Sequence, residues 1–144
     1  MRPVPEAGWL ELEAEAEVQV TSEDAAHPIE AALLPGEGSG WKASEPGPQT
    51  IRVRFDQPRD LRHIHLVFTE EHATRTQEFV LRWSAAGDQA TREIVRQQYN
   101  FHPVSREVED YTVDLKRATL VELEVNPAIN DHSAHAQLTE LRFR

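Results

Sequence analysis

The chain has 144 residues, 39% of them hydrophobic and 28% charged, a formal net charge of −10 and no cysteine. That length suits one domain around one core, and the absence of cysteine excludes disulfides, thiol nucleophiles and Cys-ligated zinc. The negative balance opposes phosphate backbones and anionic bilayers, and no apolar run approaches the roughly 20 residues of a membrane span; neutral ligands or protein surfaces are the expected partners, with no nucleic acid and no membrane.

Residues Met1 to Gly8 read as an irregular, proline-containing lead-in without the apolar segment of a secretory signal. Together with the lack of cysteine this gives a cytoplasmic expectation. Residues 9–144 read as a single domain. Leu10, Leu12, Ala14, Ala16, Val18 and Val20 alternate with Glu11, Glu13, Glu15, Glu17, Gln19 and Thr21. Successive strand residues point to opposite faces, so this is the pattern of a half-buried strand. Glu and Ala are also good helix formers, but the alternation holds at all six apolar positions and favours the strand.

Thr21 to Asp24 carry turn chemistry, and Pro28 to Leu34 suit one helical turn begun by the proline. A glycine-rich loop, Pro35 to Gly40, leads to Trp41, and Ser44 to Pro48 form another loop. Strands are expected at Thr50–Phe55, His63–Phe68, Glu78–Ser84, Arg92–Tyr99, Glu109–Leu115, Leu120–Val125 and Leu138–Arg144, with turns at Gln57-Pro58-Arg59-Asp60 and Ala86-Gly87-Asp88. Strands this close together leave no room for crossover helices. The expected fold class is therefore all-β: an antiparallel β-sandwich of the jelly-roll kind, about eight strands, with at most a short helical turn near residues 28–34.

Two histidine settings, His63-Ile64-His65 and His132-Ser133-Ala134-His135, carry possible metal chemistry, and His27 and His102 read as turn residues. His63-Ile64-His65 followed by Glu70 resembles the first metal-binding motif of the cupin family. Parity opposes it: pointing the histidines inward turns Ile64, Leu66 and Phe68 out to water, forgoing ~1.5–3 kcal/mol each. His132-Ser133-Ala134-His135 lies among loop-forming residues, and His27 and His102 each precede a proline. No glycine-framed elbow surrounds Ser84, Ser105 or Ser133. Trp41 and Trp83 share parity with core positions, Trp9 is placed to cover one end of the sandwich, and Tyr99 and Phe101 share the parity of Val95, which suits packing.

Four stretches resemble the discoidin family, also called coagulation-factor type C domains, and the related galactose-binding-like modules. They are Pro28 to Leu34 with Trp41 downstream, Gln49 to Phe55, Phe79 to Ser84 with Gly87, and Ala136 to Phe143. The resemblance implies an eight-stranded jelly roll that is usually non-catalytic and binds glycans, lipids or proteins through loops at one end. Where that family places an Asp-Gly pair whose aspartate is commonly a calcium ligand, this chain has Leu34-Pro35 or Pro35-Gly36. Ser39 and Glu140 match two further ligand positions and Glu37 lies nearby, but calcium wants six to eight oxygens, several from carboxylates. The expectation is no cofactor, with calcium held by Glu37, Ser39 and Glu140 as the alternative.

Sugar sites combine an apolar platform with a few polar groups that fix hydroxyls. The 69–77 segment offers Glu70, His72 and Arg75, and the 99–106 segment offers Tyr99, Asn100, His102 and Arg106. If these loops share one end of the sandwich they form a shallow pocket. The functional expectation is a non-catalytic binding module for carbohydrate. The alternatives are a protein-interaction or self-association module forming a homo-oligomer, and a cupin-like metal enzyme.

Overall fold

A computed structural model describes residues 8–34 and 39–144. Its chain order is α1 (Leu12–Glu15), β1 (Ala16–Val20), α2 (Glu30–Leu33), β2 (Trp41–Pro46), β3 (Gln49–Glu70), β4 (Arg75–Ala85), β5 (Arg92–Phe101), β6 (Ser105–Asn126), β7 (His135–Leu138) and β8 (Glu140–Phe143).

The first expected strand is corrected at its start. Residues 12–15 form one helical turn, and only Ala16–Val20 is extended. The run Glu-Leu-Glu-Ala-Glu has high helix propensity. The turn closes on itself: Glu15 N–H donates to the Glu11 carbonyl at 3.0 Å, and Glu15 Oε2 accepts from Glu11 N–H at 2.7 Å. The helical turn expected near 28–34 is α2. Strand β2, within a stretch read as loop after Trp41, pairs with β7.

The expected turn Gln57-Pro58-Arg59-Asp60 proves to be a bend inside a long strand, and two pairs of expected strands merge. Thr50–Phe55 and His63–Phe68 are parts of the single strand β3, and Glu109–Leu115 and Leu120–Val125 are parts of β6. The register between β3 and β6 slips between Arg54 and His63, where Pro58 has no N–H to give to a ladder. Opposite, Arg117 takes a left-handed backbone (φ 55°), and its N–H donates to Asp60 Oδ1 at 2.8 Å. Both strands thus cross from one layer to the other. One layer runs β1, the first half of β3, the second half of β6, β4, β5. In the other, the second half of β3 lies between the first half of β6 and β8, and the β7–β2 pair continues the layer. Thr139 separates β7 from β8, its N–H donating to the Val67 carbonyl at 2.8 Å.

Alternation decides which side chains fill the space between the layers. Ile51, Val53, Phe79, Leu81, Leu123 and Val125 from one layer meet Ile64, Leu66, Phe68, Leu141 and Phe143 from the other, all buried. His63 and His65 face away from this core and stay half-buried. Trp41 is fully buried; Trp83 is half-buried beneath the Arg92 guanidinium, 4.6 Å from its ring. Trp9 lies beside His65, between the guanidiniums of Arg142 and Arg144 at 4.9 and 4.4 Å.

Gly40 opens β2 with φ +65°, and a Cβ there would sit 2.4 Å from the Leu138 carbonyl oxygen and 2.8 Å from Thr139 Cα. Both contacts are with backbone, which cannot swing aside. Gly40→Ala is therefore expected to lower stability by at least about 1 kcal/mol, read as a fall in the urea midpoint at unchanged slope. An unaltered midpoint would show that β2 and the β7–β8 junction are not held this tightly.

Candidate functional site

Register gathers several turns at one end of the sandwich. Glu70 pairs with Ser105, Arg75 with Phe101, Glu78 with Asn126, and Gln49 with Val125. The β3–β4 turn, the β5–β6 turn and the β6–β7 loop (residues 127–134) must therefore lie together. Between them is a cleft of about 410 Å³. Thr74, Arg75, Thr76, Asn100, Phe101 and His102 form one wall, and Ala128, Asn130, Asp131 and Ala134 the other.

Arg75 is the structural centre of this end. Its Nε donates to Glu70 Oε1 at 2.6 Å, and its Nη1 donates to Gln77 Oε1 at 3.1 Å and to the Pro127 carbonyl at 2.7 Å. Its guanidinium lies 4.4 Å above the buried Phe101 ring. The side chain is only 6% exposed, yet its Nη2 has no hydrogen-bond partner among the described residues. Glu70 Oε2 accepts the backbone N–H groups of His72 and Ala73, each at 2.9 Å. Burial works to raise the Glu70 carboxyl, but the bonds from Arg75, Ala73 and His72 outweigh it and hold its pKa below the usual value. This buried pair locks the β3–β4 turn and ties it to the β6–β7 loop.

The neighbouring polar groups are partly committed. Thr76 Oγ1 donates to Asn100 Oδ1 at 2.7 Å, which leaves the Asn100 amide group as a donor. The His102 side chain is exposed, while its backbone is pinned by Ser105: Oγ accepts from His102 N–H at 3.1 Å and donates to its carbonyl at 2.6 Å. Asp131 accepts from Ser133 Oγ at 2.6 Å and Ser133 N–H at 2.9 Å, and these bonds lower its pKa.

Of the six candidate ligand residues, Arg75, Asn100 and His102 thus converge on one cleft. Glu70 and His72 line an adjacent hollow of about 290 Å³ with His27, Ser39, Lys42 and Gln137. Tyr99 lines neither: its ring packs 4.9 Å from Phe101, and its hydroxyl donates to the Arg106 carbonyl at 3.2 Å. Parity alone does not find Asn130 and Asp131, although an Asn-Asp pair in a long loop is a visible source of acceptors.

A second feature lies below Arg75. Gln77 accepts from Arg75 Nη1 and donates through Nε2 to Glu107 Oε1 at 3.4 Å. Glu107 is 1% exposed. Burial, and then the neighbouring Glu109 carboxylate, push its pKa up to about 9. Burial, followed by Glu109 and Glu107, likewise raises the Tyr111 hydroxyl. Glu107, Glu109, Tyr111, Val113 and Leu115 share one parity of β6, so the inward direction of these polar groups is visible in the alternation itself.

The metal candidates are arranged differently from a coordination shell. His65 Nδ1 lies 2.5 Å from Asp110 Oδ1, and its Nε2 lies 3.1 Å from Glu140 Oε2. Glu140 therefore faces a histidine, and Ser39 lines the adjacent hollow. Glu37 is outside the described residues. His135 Nδ1 donates to the Ala43 carbonyl at 3.1 Å. Among the described residues no three His, Asp or Glu side chains converge to hold an ion, the His63–His65–Glu70 set included.

Comparison with known proteins bears on the architecture. No protein-family model matches the chain, and a search of curated proteins finds no match. Solved structures do match. A family 32 carbohydrate-binding module of Clostridium perfringens NanJ, in complex with galactose, is 16% identical and superposes with a TM-score of 0.64 over 94% of this chain and 96% of that one. A CBM32 module from the same organism, in complex with GalNAc-β-1,3-galactose, is 18% identical, with a TM-score of 0.68 over 94% and 99%. An F5/8 type C domain from Bacteroides fragilis is 12% identical, with a TM-score of 0.62 over 95% and 96%. The chain therefore has the discoidin-type jelly-roll fold that family 32 carbohydrate-binding modules and F5/8 type C domains share, as its strand motifs implied.

Proposed function

We propose that the chain is a non-catalytic module that binds carbohydrate in the 410 Å³ cleft. One observation carries the reading: the exposed Asn100 and His102 side chains line the cleft beside the buried, rigidly held Arg75. These groups suit a ring of hydroxyls. Glu70 cancels the charge of Arg75, so the site does not require an anionic ligand. Two structural neighbours are described in complex with galactose and with GalNAc-β-1,3-galactose, which supports the same ligand class here. We also propose that binding is independent of calcium, because Glu140 is engaged by His65.

The test is calorimetric titration with galactose and GalNAc-β-1,3-galactose. Asn100→Ala and His102→Ala are each expected to weaken binding about two- to tenfold, the value of one lost hydrogen bond, with melting temperature unchanged because both side chains are exposed. EDTA is expected to leave affinity unaltered. Saturable binding that survives both substitutions would place the ligand elsewhere, and an affinity abolished by EDTA would restore the metal.

A further inference from the structure

The β5–β6 turn holds a contradiction between residue and backbone. Val104 has φ +57°, a left-handed conformation suited to glycine or asparagine and a genuine outlier for a β-branched side chain. In the isolated chain no packing compensates, because Val104 is 86% exposed, the most exposed large hydrophobic side chain among the described residues. The turn does not relax. Ser105 Oγ clamps both backbone groups of His102, and Tyr99 Oη closes the base of the hairpin on the Arg106 carbonyl. A strained residue is thus held rigidly in the open, presenting an apolar side chain to whatever approaches this end.

Resting on the carbohydrate reading above, we infer that Val104 is a glycan-contact residue that meets a second sugar unit, so that the ligand is at least a disaccharide. His102 lines the cleft and Val104 stands two residues beyond it at the hairpin tip. A sugar ring held by Asn100 and His102 would place its attached neighbour toward the hairpin tip. The C–H face of a pyranose is apolar and matches an isopropyl group that is displayed at the cost of strain. A bilayer also suits an exposed apolar tip, but the net charge of −10 opposes docking on anionic lipid.

The experiment compares wild type with Val104→Gly and Val104→Asn, in titrations with galactose and with GalNAc-β-1,3-galactose. Both substitutions relieve the backbone, so melting temperature is expected to rise by about 2–6 °C. Affinity for the disaccharide is expected to fall about three- to tenfold, while affinity for galactose stays constant. Unchanged disaccharide affinity in both variants overturns the assignment and leaves the cleft reading intact. So does wild-type sedimentation with phosphatidylserine vesicles that Val104→Gly abolishes. A wild type that binds neither sugar overturns the cleft reading and this inference with it.

Discussion

Replacing Arg75 with alanine is expected to abolish sugar binding and to lower stability by about 3–5 kcal/mol, the cost of leaving a buried charge unpaired. Three observations set that size. The Arg75 and Glu70 side chains are 6% and 9% exposed, so water does not replace the lost partner. Glu70 stays oriented by the His72 and Ala73 amides and cannot turn outward without breaking the β3–β4 turn. The Pro127 carbonyl loses its donor, and the Phe101 ring loses its cover. Because Arg75→Ala weakens the fold as well as the site, two further variants separate the effects. Arg75→Lys keeps the charge but cannot make the forked contacts to Glu70, Gln77 and Pro127; it is expected to fold and to bind at least tenfold more weakly. The pair Glu70→Gln with Arg75→Gln removes both charges and is expected to lose less stability than Arg75→Ala alone. Urea unfolding reads all three, and a loss below about 1 kcal/mol for Arg75→Ala would show that the pair is not a buried anchor.

Alkaline pH is expected to destabilise the protein through Glu107, and Glu107→Gln to remove most of that dependence. The Glu107 carboxyl titrates at about 9 in the fold against 4.5 for an ordinary glutamate. Between those values the folded chain holds a proton that the unfolded chain has released. Its contribution is therefore complete below about pH 4.5, declines as pH rises, and is gone above about 9. Each pH unit between the two values is worth about 1.36 kcal/mol, so a few kcal/mol of stability rest on this one proton. Glutamine keeps the shape and the neutral state, so wild-type stability should fall from pH 5 to pH 9 while that of Glu107→Gln stays nearly level. Equal slopes would mean that Glu107 is ionised in the fold. Tyr111 adds a decline of the same sign above pH 10, its ordinary value. Glu70 works in reverse, since its lowered pKa adds stability that is lost under acid. The protein should be most stable in mildly acidic solution.

Sidedness is the most legible property of the chain. Ile64, Leu66 and Phe68 face inward and His63 and His65 outward because exposing three large apolar side chains costs more than a short histidine motif can offset. Continuity is illegible. Gln57-Pro58-Arg59-Asp60 has the composition of a turn, yet β3 runs through it, because the slipped register at this bend tolerates a proline that has no N–H to give. The strand character of β2 is hidden because Lys42, Ser44 and Glu45 leave only Trp41 and Ala43 to mark its buried face. At the site, residue type alone singles out Arg75, Asn100 and His102, but their convergence depends on the pairing of Arg75 with Phe101. The opposite wall, with Asn130 and Asp131, is brought in by the Ile129 N–H bond to the Thr76 carbonyl at 2.9 Å, a contact no local pattern encodes.

Because β3 and β6 each serve both layers, the halves of the sandwich cannot part or slide without breaking the pairing of two strands that run through both. Breathing is therefore confined to the margins, and β5, paired only to β4 within its sheet, is such a margin. It carries Asn100 and Phe101. Local opening at that edge would leave the opposing sheets locked.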